Sequence, residues 1–227
     1  MASVNKIIRS LCRRLLGGVT TTFAASRPSY FSIAVMREAN WILLSAAEIH
    51  AIAQTVRAIP GCRLLVFGAG HDSRFWVECN RGNTTVFLEH NTAWAEQIAK
   101  EIGRERIFEV SYRHRRSDWL RLLDAPDQLA CVLPPEVSAA EWDIVLVDGP
   151  PGYLPEQPGR MQSIFTAAKM VRPGGYVIVH DCDREVERIY CDRFLGPGNL
   201  QRQVGILRIY KKPDEAWTSV DVRREAT

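Results

Sequence analysis

The sequence predicts an α/β fold with a doubly wound, mostly parallel sheet. Short, unbroken apolar runs alternate with amphipathic segments of helical periodicity, and the connections between them are short. Unbroken apolar runs are typical of strands that helices cover on both faces. Regular alternation of strands and helices indicates parallel crossover connections. We therefore expect several strands to end at one common edge, which is where open α/β sheets bind their ligands.

The predicted elements follow in a regular order along the chain. The predicted strands cover residues 63–67, 84–88, 106–110, 144–147, 176–179 and 205–210. The predicted helices cover residues 44–57, 91–102, 161–170 and 183–194. A further predicted helix begins at Asp72 or Ser73 and contains Phe75 and Trp76. Asp, Ser, Asn and Thr are favoured at helix N-termini because their side chains accept hydrogen bonds from free backbone N–H groups. Trp76 and Trp94 lie at helical positions, and we assign both to the core.

Length and composition predict one soluble domain. The 227 residues are 46% hydrophobic and 24% charged, which is enough for one core, and we place the domain at residues 44–211. A basic N-terminal region, 1–43, precedes the domain. A charged tail, 212–227, follows it, and we expect this tail to be mobile. The net charge of +3 is too weak to predict a nucleic-acid partner without a clustered basic face. The oligomeric state stays open.

The first 37 residues contain no acidic residue and are rich in Ser, Thr and basic side chains. This composition is typical of organellar transit peptides, and it also fits a basic amphipathic helix lying on the domain or on an acidic surface. No apolar run approaches the roughly 20 residues that a membrane span requires, so we expect none and favour a cytoplasmic location. The six cysteines show no CxxC pair or zinc-like spacing, which predicts reduced thiols.

A glycine-rich loop after the first predicted strand indicates a nucleoside site. The glycines allow close approach of the backbone to a ligand, and Glu89, about twenty residues later at the end of the second strand, can accept hydrogen bonds from ribose hydroxyls. The third glycine of a dinucleotide motif is missing, and an acid stands where a diphosphate would be repelled. S-adenosylmethionine, a cationic nucleoside without phosphate, fits better. The predicted cofactor residues are Gly68, Ala69, Gly70, His71, Asp72, Glu89 and Asp148.

Acidic residues and one histidine follow the fourth and fifth predicted strands. Asp148 ends the fourth strand, and His180 and Asp181 end the fifth. Methyl transfer to a hydroxyl depends on positioning and benefits from a general base, because an alcohol is scarcely ionised at neutral pH. We predict that these three residues are catalytic. They can instead converge on a divalent metal ion that holds two substrate oxygens, so the metal dependence stays open.

The chain resembles the plant polysaccharide-biosynthesis methyltransferases typified by glucuronoxylan 4-O-methyltransferases and their relatives in xylan assembly. The matching pieces read LLVFGAGHDSRFW, TVFLE, WDIVLVDGPPGYLPEQPGRMQSIFTAAKM and VHDCDREVERIYCDRFL, and they cover most of residues 44–210. The resemblance implies a class I, Rossmann-like methyltransferase fold. It also implies methyl transfer from S-adenosylmethionine to the 4-hydroxyl of glucuronic acid on xylan. Two departures are His90, where plant members carry another acid, and a shortened insertion around Cys131.

Three residues are predicted to bind the acceptor if it is a uronic acid. The planar fork of an arginine matches a carboxylate, and Arg160 and Arg184 flank the two acidic loops. Tyr153, in a loop rich in Pro and Gly, offers a ring that stacks on a sugar. The basic run at residues 112–116 either extends a polyanion-binding surface or is a solvated face. A small-metabolite methyltransferase and a non-catalytic assembly protein are the alternative functions.

Overall fold

The computed structural model describes residue 33, residues 42–215 and residue 217. The sequence-based predictions for the rest of segment 1–43 and for the end of the tail lie outside these residues. The described residues form one seven-stranded sheet with the strand order β3-β2-β1-β4-β5-β7-β6. Its strands are β1 (Leu64–Phe67), β2 (Thr85–Glu89), β3 (Ile107–Glu109), β4 (Trp142–Val147), β5 (Val171–Val179), β6 (Leu200–Val204) and β7 (Leu207–Lys211).

Strands β1 to β5 are parallel, and the chain reverses its direction of winding beside β1, as the sequence predicted. Phe67 pairs with Leu88 of β2 and with Val147 of β4, and Val147 pairs with Val179 of β5. The carboxyl ends of these four strands are therefore level with one another. Strand β7 is antiparallel to β5, and β6 is antiparallel to β7.

Helices lie on both faces of the sheet. They are α1 (Ala46–Arg57), α2 (Ser73–Cys79), α3 (Thr92–Ile102), α4 (Trp119–Leu123), α5 (Pro135–Ser138), α6 (Met161–Met170) and α7 (Glu185–Phe194). Successive side chains of a strand point to opposite faces. Leu65 and Phe67 of β1 accordingly share one core with α6 and α7, whereas Leu64 and Val66 share the other with α1 and α3. This two-sided burial explains why the strands read as unbroken apolar runs.

Three strands of the sheet differ from the sequence-based prediction. Strand β6 was missed because its residues, LQRQV, alternate little and are largely exposed, which an edge strand tolerates. The predicted last strand, 205–210, begins only at Leu207, because Gly205 has a positive φ of 56° and forms the turn between β6 and β7. Strand β5 also extends back to Val171 through a Pro-Gly-Gly sequence that reads as a turn.

The ends of the predicted domain have contacts of their own. Lys212, which was assigned to the charged tail, donates from Nζ to the carbonyl of Val171 at 2.8 Å, and Trp217 donates from Nε1 to the carbonyl of Ala168 at 2.8 Å.

Among the described residues, no helix has the length and apolar character needed to cross a bilayer. The five cysteines within that part of the chain are free thiols, as predicted.

Candidate active site

A cavity of about 380 Å³ opens at the edge where β1, β2, β4 and β5 end. Its walls are the loops that follow these four strands, together with residues 42–44 in front of α1. The sequence therefore predicted the location of the cavity correctly. The predicted site residues in its wall are Gly68, Ala69, Gly70, His71, Asp72, Glu89, Asp148, Tyr153, Arg160, His180 and Asp181.

Glu89 is held in place by backbone N–H groups. Its Oε2 accepts from the N–H of Ala69 at 3.0 Å, and its Oε1 accepts from the N–H groups of His90 and Asn91, each at 2.9 Å. Burial alone would raise the pKa of Glu89, but the hydrogen bonds from His90, Ala69 and Asn91 hold this pKa below its usual value. The carboxylate is therefore ionised and rigid, and it ties the loop after β1 to the loop after β2.

Gly68 is needed where the loops after β1 and β4 touch. Its φ is +99°, and a Cβ at this position would lie 3.1 Å from backbone atoms of Asp148 and Gly149. A Cβ on Gly149 would in turn lie 2.8 Å from the Cα of Gly68. The two glycines therefore let the loops pack backbone against backbone. The predicted contact between Gly68 and a cofactor stays a prediction.

One tryptophan assigned to the core packs against it and also lines the cavity. Trp76 is 1% exposed and belongs to the core, but Trp94 is half-buried and lines the cavity. Its Nε1 donates to the carbonyl of Ala69 at 2.7 Å, and the ring of His71 lies edge-on to it with the centroids 5.2 Å apart. Helical spacing predicted the helix but not which side of it meets the cavity. Trp94 thus adds an aromatic wall beside the glycine loop.

Four residues form a compact charged group, which we call the strand-end cluster: Asp148, Arg160, His180 and Asp181. His180 Nδ1 lies 3.0 Å from Asp148 Oδ1 and 3.4 Å from Asp181 Oδ1. Arg160 Nη2 lies 3.0 Å from Asp148 Oδ1 and 2.5 Å from Asp181 Oδ2. Two carboxylates are therefore shared by one guanidinium and one imidazole. Asp181 adopts a left-handed backbone conformation, with φ at 62°, at the end of β5.

Burial and charge act in opposite directions on this cluster. Burial alone would raise the pKa of Asp148, but the nearby Arg160 and the hydrogen bond with His180 hold it below its usual value. Burial alone would lower the pKa of His180, but its hydrogen bond to Asp148 and the charges of Asp148 and Asp181 raise it. Asp148 is thus ionised at neutral pH.

Arg160 is more deeply engaged with the protein than its sequence context indicated. Its Nη1 donates to the carbonyl of Val147, its Nη2 donates to the carbonyl of Asp148, and the residue is 4% exposed. Most of its donors are used inside the protein. The predicted contact with an acceptor carboxylate stays a prediction, and the contacts give Arg160 the role of counter-ion to the two aspartates.

Arg184 does not line the cavity, unlike Tyr153. Arg184 Nη2 lies 2.9 Å from Asp181 Oδ2, and its guanidinium lies over the Tyr153 ring, 4.1 Å from the centroid. Tyr153 is 60% exposed and borders the mouth. The Arg184 guanidinium therefore covers one face of the Tyr153 ring. These two side chains hold each other in position at the mouth of the cavity, which we call the rim.

Glu48 is a residue of the site that the sequence did not reveal. It is 3% exposed, and its Oε2 lies 3.7 Å from His180 Nε2, which has no hydrogen-bond partner among the described residues. Its Oε2 also accepts from the N–H of Ser45, and its Oε1 accepts from the N–H of Ile206. The sequence shows only a capping box, S-x-x-E, at the start of α1. Only the folded chain brings the Glu48 carboxylate close to His180 Nε2.

The cavity suits a cation more than an anion. Burial and the neighbouring charge of Asp148 raise the pKa of Asp72 to about 6. Two carboxylates that repel each other in one cavity are both stabilised when a positive group enters between them. S-adenosylmethionine carries a sulfonium and an ammonium, so this donor set fits it. Asp148, His180 and Asp181 also present ligand atoms within 4.8 Å of one another, which is a candidate divalent-metal group.

The strand order, with β7 antiparallel between β5 and β6, and the cavity at the ends of β1, β2, β4 and β5 define a class I, Rossmann-like methyltransferase fold. A family model described as IRX15/IRX15L/GXM matches residues 47–210. The chain therefore belongs to the IRX15/IRX15L/GXM family, which confirms the resemblance and the fold class seen in the sequence.

Three relatives from Arabidopsis thaliana illustrate the family. Glucuronoxylan 4-O-methyltransferase 1 is 36% identical and matches 67% of this chain and 61% of its own length. Arabinogalactan O-methyltransferase 2 is 36% identical, with 68% and 62% covered. Protein IRREGULAR XYLEM 15 is 35% identical, with 74% and 60% covered. The chain thus spans about three fifths of the length of these relatives.

Proposed function

We propose that this protein transfers a methyl group from S-adenosylmethionine to a hydroxyl of a uronic-acid-containing glycan, with the 4-hydroxyl of glucuronic acid as the acceptor group. The observation that carries the proposal is the strand-end cluster beside a cavity whose carboxylates suit a cation. Two relatives of similar identity are named as O-methyltransferases of glucuronoxylan and arabinogalactan. The cytoplasmic location predicted from the sequence stays a prediction.

The glycine loop and Glu89 are proposed to hold the nucleoside. S-adenosylmethionine, when bound, supplies a methyl group on a positively charged sulfur. Glu89 Oε2 accepts one hydrogen bond, from Ala69, so it retains a lone pair for a ribose hydroxyl. Trp94 and His71 offer aromatic faces beside it, and Asp72 and Asp148 offer negative charge to the sulfonium and ammonium. Each of these groups acts on binding and orientation.

Asp148 and His180 are proposed to take the proton of the acceptor hydroxyl. As the new O–C bond forms, the S–C bond breaks with its electron pair remaining on sulfur, and the hydroxyl proton passes to Asp148 or His180. Both groups meet at a 3.0 Å hydrogen bond, so either can take the proton while the other stabilises the result. Arg160 keeps Asp148 in position throughout. Alignment of the hydroxyl with the methyl carbon supplies much of the rate.

The rim is proposed to bind the acceptor sugar. Tyr153 offers its exposed ring for stacking on a sugar face, and Arg184 lies directly over that ring. Arg184 has one guanidinium nitrogen, Nη1, without a partner among the described residues. Nη1 is buried, so a uronate carboxylate at the rim reaches this donor only after the Arg184 guanidinium turns away from the Tyr153 ring. Arg160 lies deeper in the cavity wall and pairs with Asp181, which also pairs with Arg184.

A divalent metal ion is the second chemistry that the strand-end cluster supports. Asp148, His180 and Asp181 would hold it, and it would lower the pKa of a bound hydroxyl. Arg160 contacts both carboxylates and therefore competes with such an ion. Dialysis of the protein against a chelator separates the two chemistries. Unchanged activity assigns these residues to acid–base work, whereas lost activity that a divalent ion restores assigns them as ligands.

The decisive experiment incubates the protein with labelled S-adenosylmethionine and a panel of acceptors. The panel contains glucuronoxylan, arabinogalactan, the carboxyl-reduced form of each, and small alcohols and phenols. We expect label on the native glycans, located at the uronate 4-hydroxyl, and little on the reduced forms. Label on small molecules alone would support the small-metabolite alternative. Binding of the native glycans without label on any acceptor would support an assembly role, since the name of one relative, Protein IRREGULAR XYLEM 15, states no activity.

A further inference from the structure

A basic segment, residues 113–116, lies outside the cavity and has no part in the function proposed above. It contains Arg113, His114, Arg115 and Arg116 in succession. Arg113 and Arg115 are exposed, and within the described part of the chain neither side chain forms an ion pair. Basic side chains on protein surfaces are often balanced by nearby carboxylates. Here the Asp118 carboxylate accepts from the backbone N–H of Arg115 at 3.0 Å and does not pair with either guanidinium.

The backbone of the basic segment is fixed although it contains almost no regular structure. Gln162, at the start of α6 and 2% exposed, accepts from the N–H groups of Arg113 at 3.0 Å and His114 at 3.2 Å. The N–H of Arg116 donates to the carbonyl of Gln157 at 2.7 Å. The Cβ of Arg116 also packs closely against Gly159. A segment held at three points loses little further freedom when it binds a ligand.

Gln157 also connects the basic segment to the mouth of the cavity. Gln157 Oε1 accepts from the N–H of Tyr153 at 2.6 Å and from the N–H of Leu154 at 2.9 Å. Tyr153 lines the mouth, and Tyr153 and Leu154 are 60% and 58% exposed. An aromatic and apolar platform thus joins the cavity to the basic segment. Sugar faces stack on such platforms, and arginine forks pair with carboxylates.

We propose that the basic segment is a subsite for a second uronate of the acceptor chain, one that does not react. The proposal rests on the proposed function, because it requires an acceptor that carries several uronates. The net charge of the chain is only +3, so the four basic residues do not belong to a generally basic protein, which favours a spaced carboxylate over the dense phosphates of a nucleic acid. The second uronate holds the chain across the mouth while the first enters the cavity.

The test compares two double variants in the full chain. Arg113→Gln with Arg115→Gln removes two charges from the basic segment. Arg81→Gln with Lys100→Gln removes two exposed charges at the opposite edge of the sheet, near the start of β2 and the end of α3. Methyl transfer is measured on a polymer with many glucuronates and on an oligosaccharide with one. Neither pair lies in the cavity wall, so the turnover number is expected to stay unchanged.

The expected result is a split between the two acceptors. Each exposed pairing contributes little alone, so the Arg113/Arg115 variant should raise KM for the polymer by about three- to tenfold. Its KM for the single-uronate oligosaccharide should change by less than about twofold, and the control variant should match the wild type on both. An equal change on both acceptors, or the same change in the control, would overturn the subsite.

A binding measurement separates failure of the subsite from failure of the proposed function. Affinity electrophoresis of the wild type and both variants in gels containing native glucuronoxylan, its carboxyl-reduced form or a polynucleotide needs no methyl transfer. Retardation by the native polymer alone, lost in the Arg113/Arg115 variant, supports the subsite even if the wild type transfers no methyl group. Equal retardation by the reduced polymer or by the polynucleotide would overturn the preference for uronate.

Discussion

The two halves of the cavity are held together by different means. The first half, the loops after β1 and β2, depends on backbone contacts: Gly68 packs on Gly149 of the loop after β4, and Glu89 accepts from three backbone N–H groups. The second half, the strand-end cluster, depends on charges that come from three separate segments of the chain. Backbone contacts tolerate changes in neighbouring side chains, whereas a buried charge network fails when one member is removed. The halves should therefore respond differently to substitution.

The largest effect is expected at the centre of the charge network. Arg160→Met removes the guanidinium that Asp148 and Asp181 share in a buried site and leaves His180 and Arg184 beside them, and breaking such a pair costs about 3–5 kcal/mol. The measurement is the free energy of unfolding in urea. Arg74→Met is the matched control, because Arg74 pairs with Glu78 at 2.9 Å on an exposed helix face and should cost at most about 0.5 kcal/mol. Equal losses in the two variants would show that Arg160 is not the counter-ion.

The chemical step is expected to respond next. Asp148→Asn and His180→Ala should each lower turnover at saturating S-adenosylmethionine by about 100-fold or more if they take the hydroxyl proton, and affinity for S-adenosylmethionine should stay near normal in His180→Ala. A base acts only when unprotonated, and the pKa of His180 is raised. The wild-type rate should therefore rise with pH through that raised value, and His180→Ala should lose this rise. Wild-type turnover in both variants would leave alignment alone as the source of catalysis.

The first half of the cavity was largely predictable from local sequence. An apolar run followed by a glycine pair, and a carboxylate at the end of the next run, indicate a strand, a turn and a ligand-facing acid without knowledge of the fold. The loops after β4 and β5 were predictable for the same reason. Strand β6 was not, because an exposed edge strand has no apolar pattern to detect.

The charge network of the second half was only partly predictable. Arg160 follows a Pro-Gly turn and begins α6, a context that predicts an exposed side chain, yet the packing of α6 buries it. Glu48 lies about 130 residues from His180 in sequence, and nothing local links them. Trp94 shows the same limit, since helical spacing does not say which side of α3 meets the cavity. Long-range contacts of this kind depend on the whole sheet.

A smaller effect is expected in the first half, at Glu89. Glu89→Ala should weaken binding of S-adenosylmethionine by about 1–3 kcal/mol, the range for hydrogen bonds lost to a charged acceptor. Isothermal titration calorimetry measures this affinity. Glu109→Ala, on the exposed end of the neighbouring strand β3, is the matched control and should leave it unchanged. Unchanged affinity in Glu89→Ala would remove Glu89 from the cofactor site.

Substitution of Glu48 tests whether its carboxylate, 3.7 Å from His180 Nε2, belongs to the charge network of the second half. Glu48→Gln and Ser45→Ala both break the capping box of α1, which costs about 0.5–2 kcal/mol of stability. Only Glu48→Gln changes the charge facing His180 Nε2. We therefore expect about a tenfold fall in kcat, with KM unchanged, in Glu48→Gln and wild-type kcat in Ser45→Ala. Equal kcat in the two variants would restrict Glu48 to its capping role.

The smallest expected effect lies where the two halves meet, at Asp72. Its folded pKa of about 6 exceeds its usual 3.8, first through burial and then through Asp148. A raised pKa means that the protonated carboxyl stabilises the fold at low pH and that this contribution is lost as pH rises through 6. Asp72→Asn should therefore raise the melting temperature of the ligand-free protein at pH 7 by about 2–4 °C. The gain should vanish near pH 4.

The same change should weaken binding of S-adenosylmethionine at pH 7, because Asp72→Asn removes a charge that faces the cationic ligand. Wild-type affinity should fall below pH 6 toward that of the variant, as Asp72 becomes protonated. An asparagine retains a carbonyl oxygen for the indole N–H of Trp76, which now donates to Asp72 at 2.7 Å, so the start of α2 should be preserved. A variant that gains stability and keeps full affinity would show that the repulsion between Asp72 and Asp148 has no role in cofactor binding. A gain in stability together with a loss in affinity would show that this part of the cavity is strained until a cation enters.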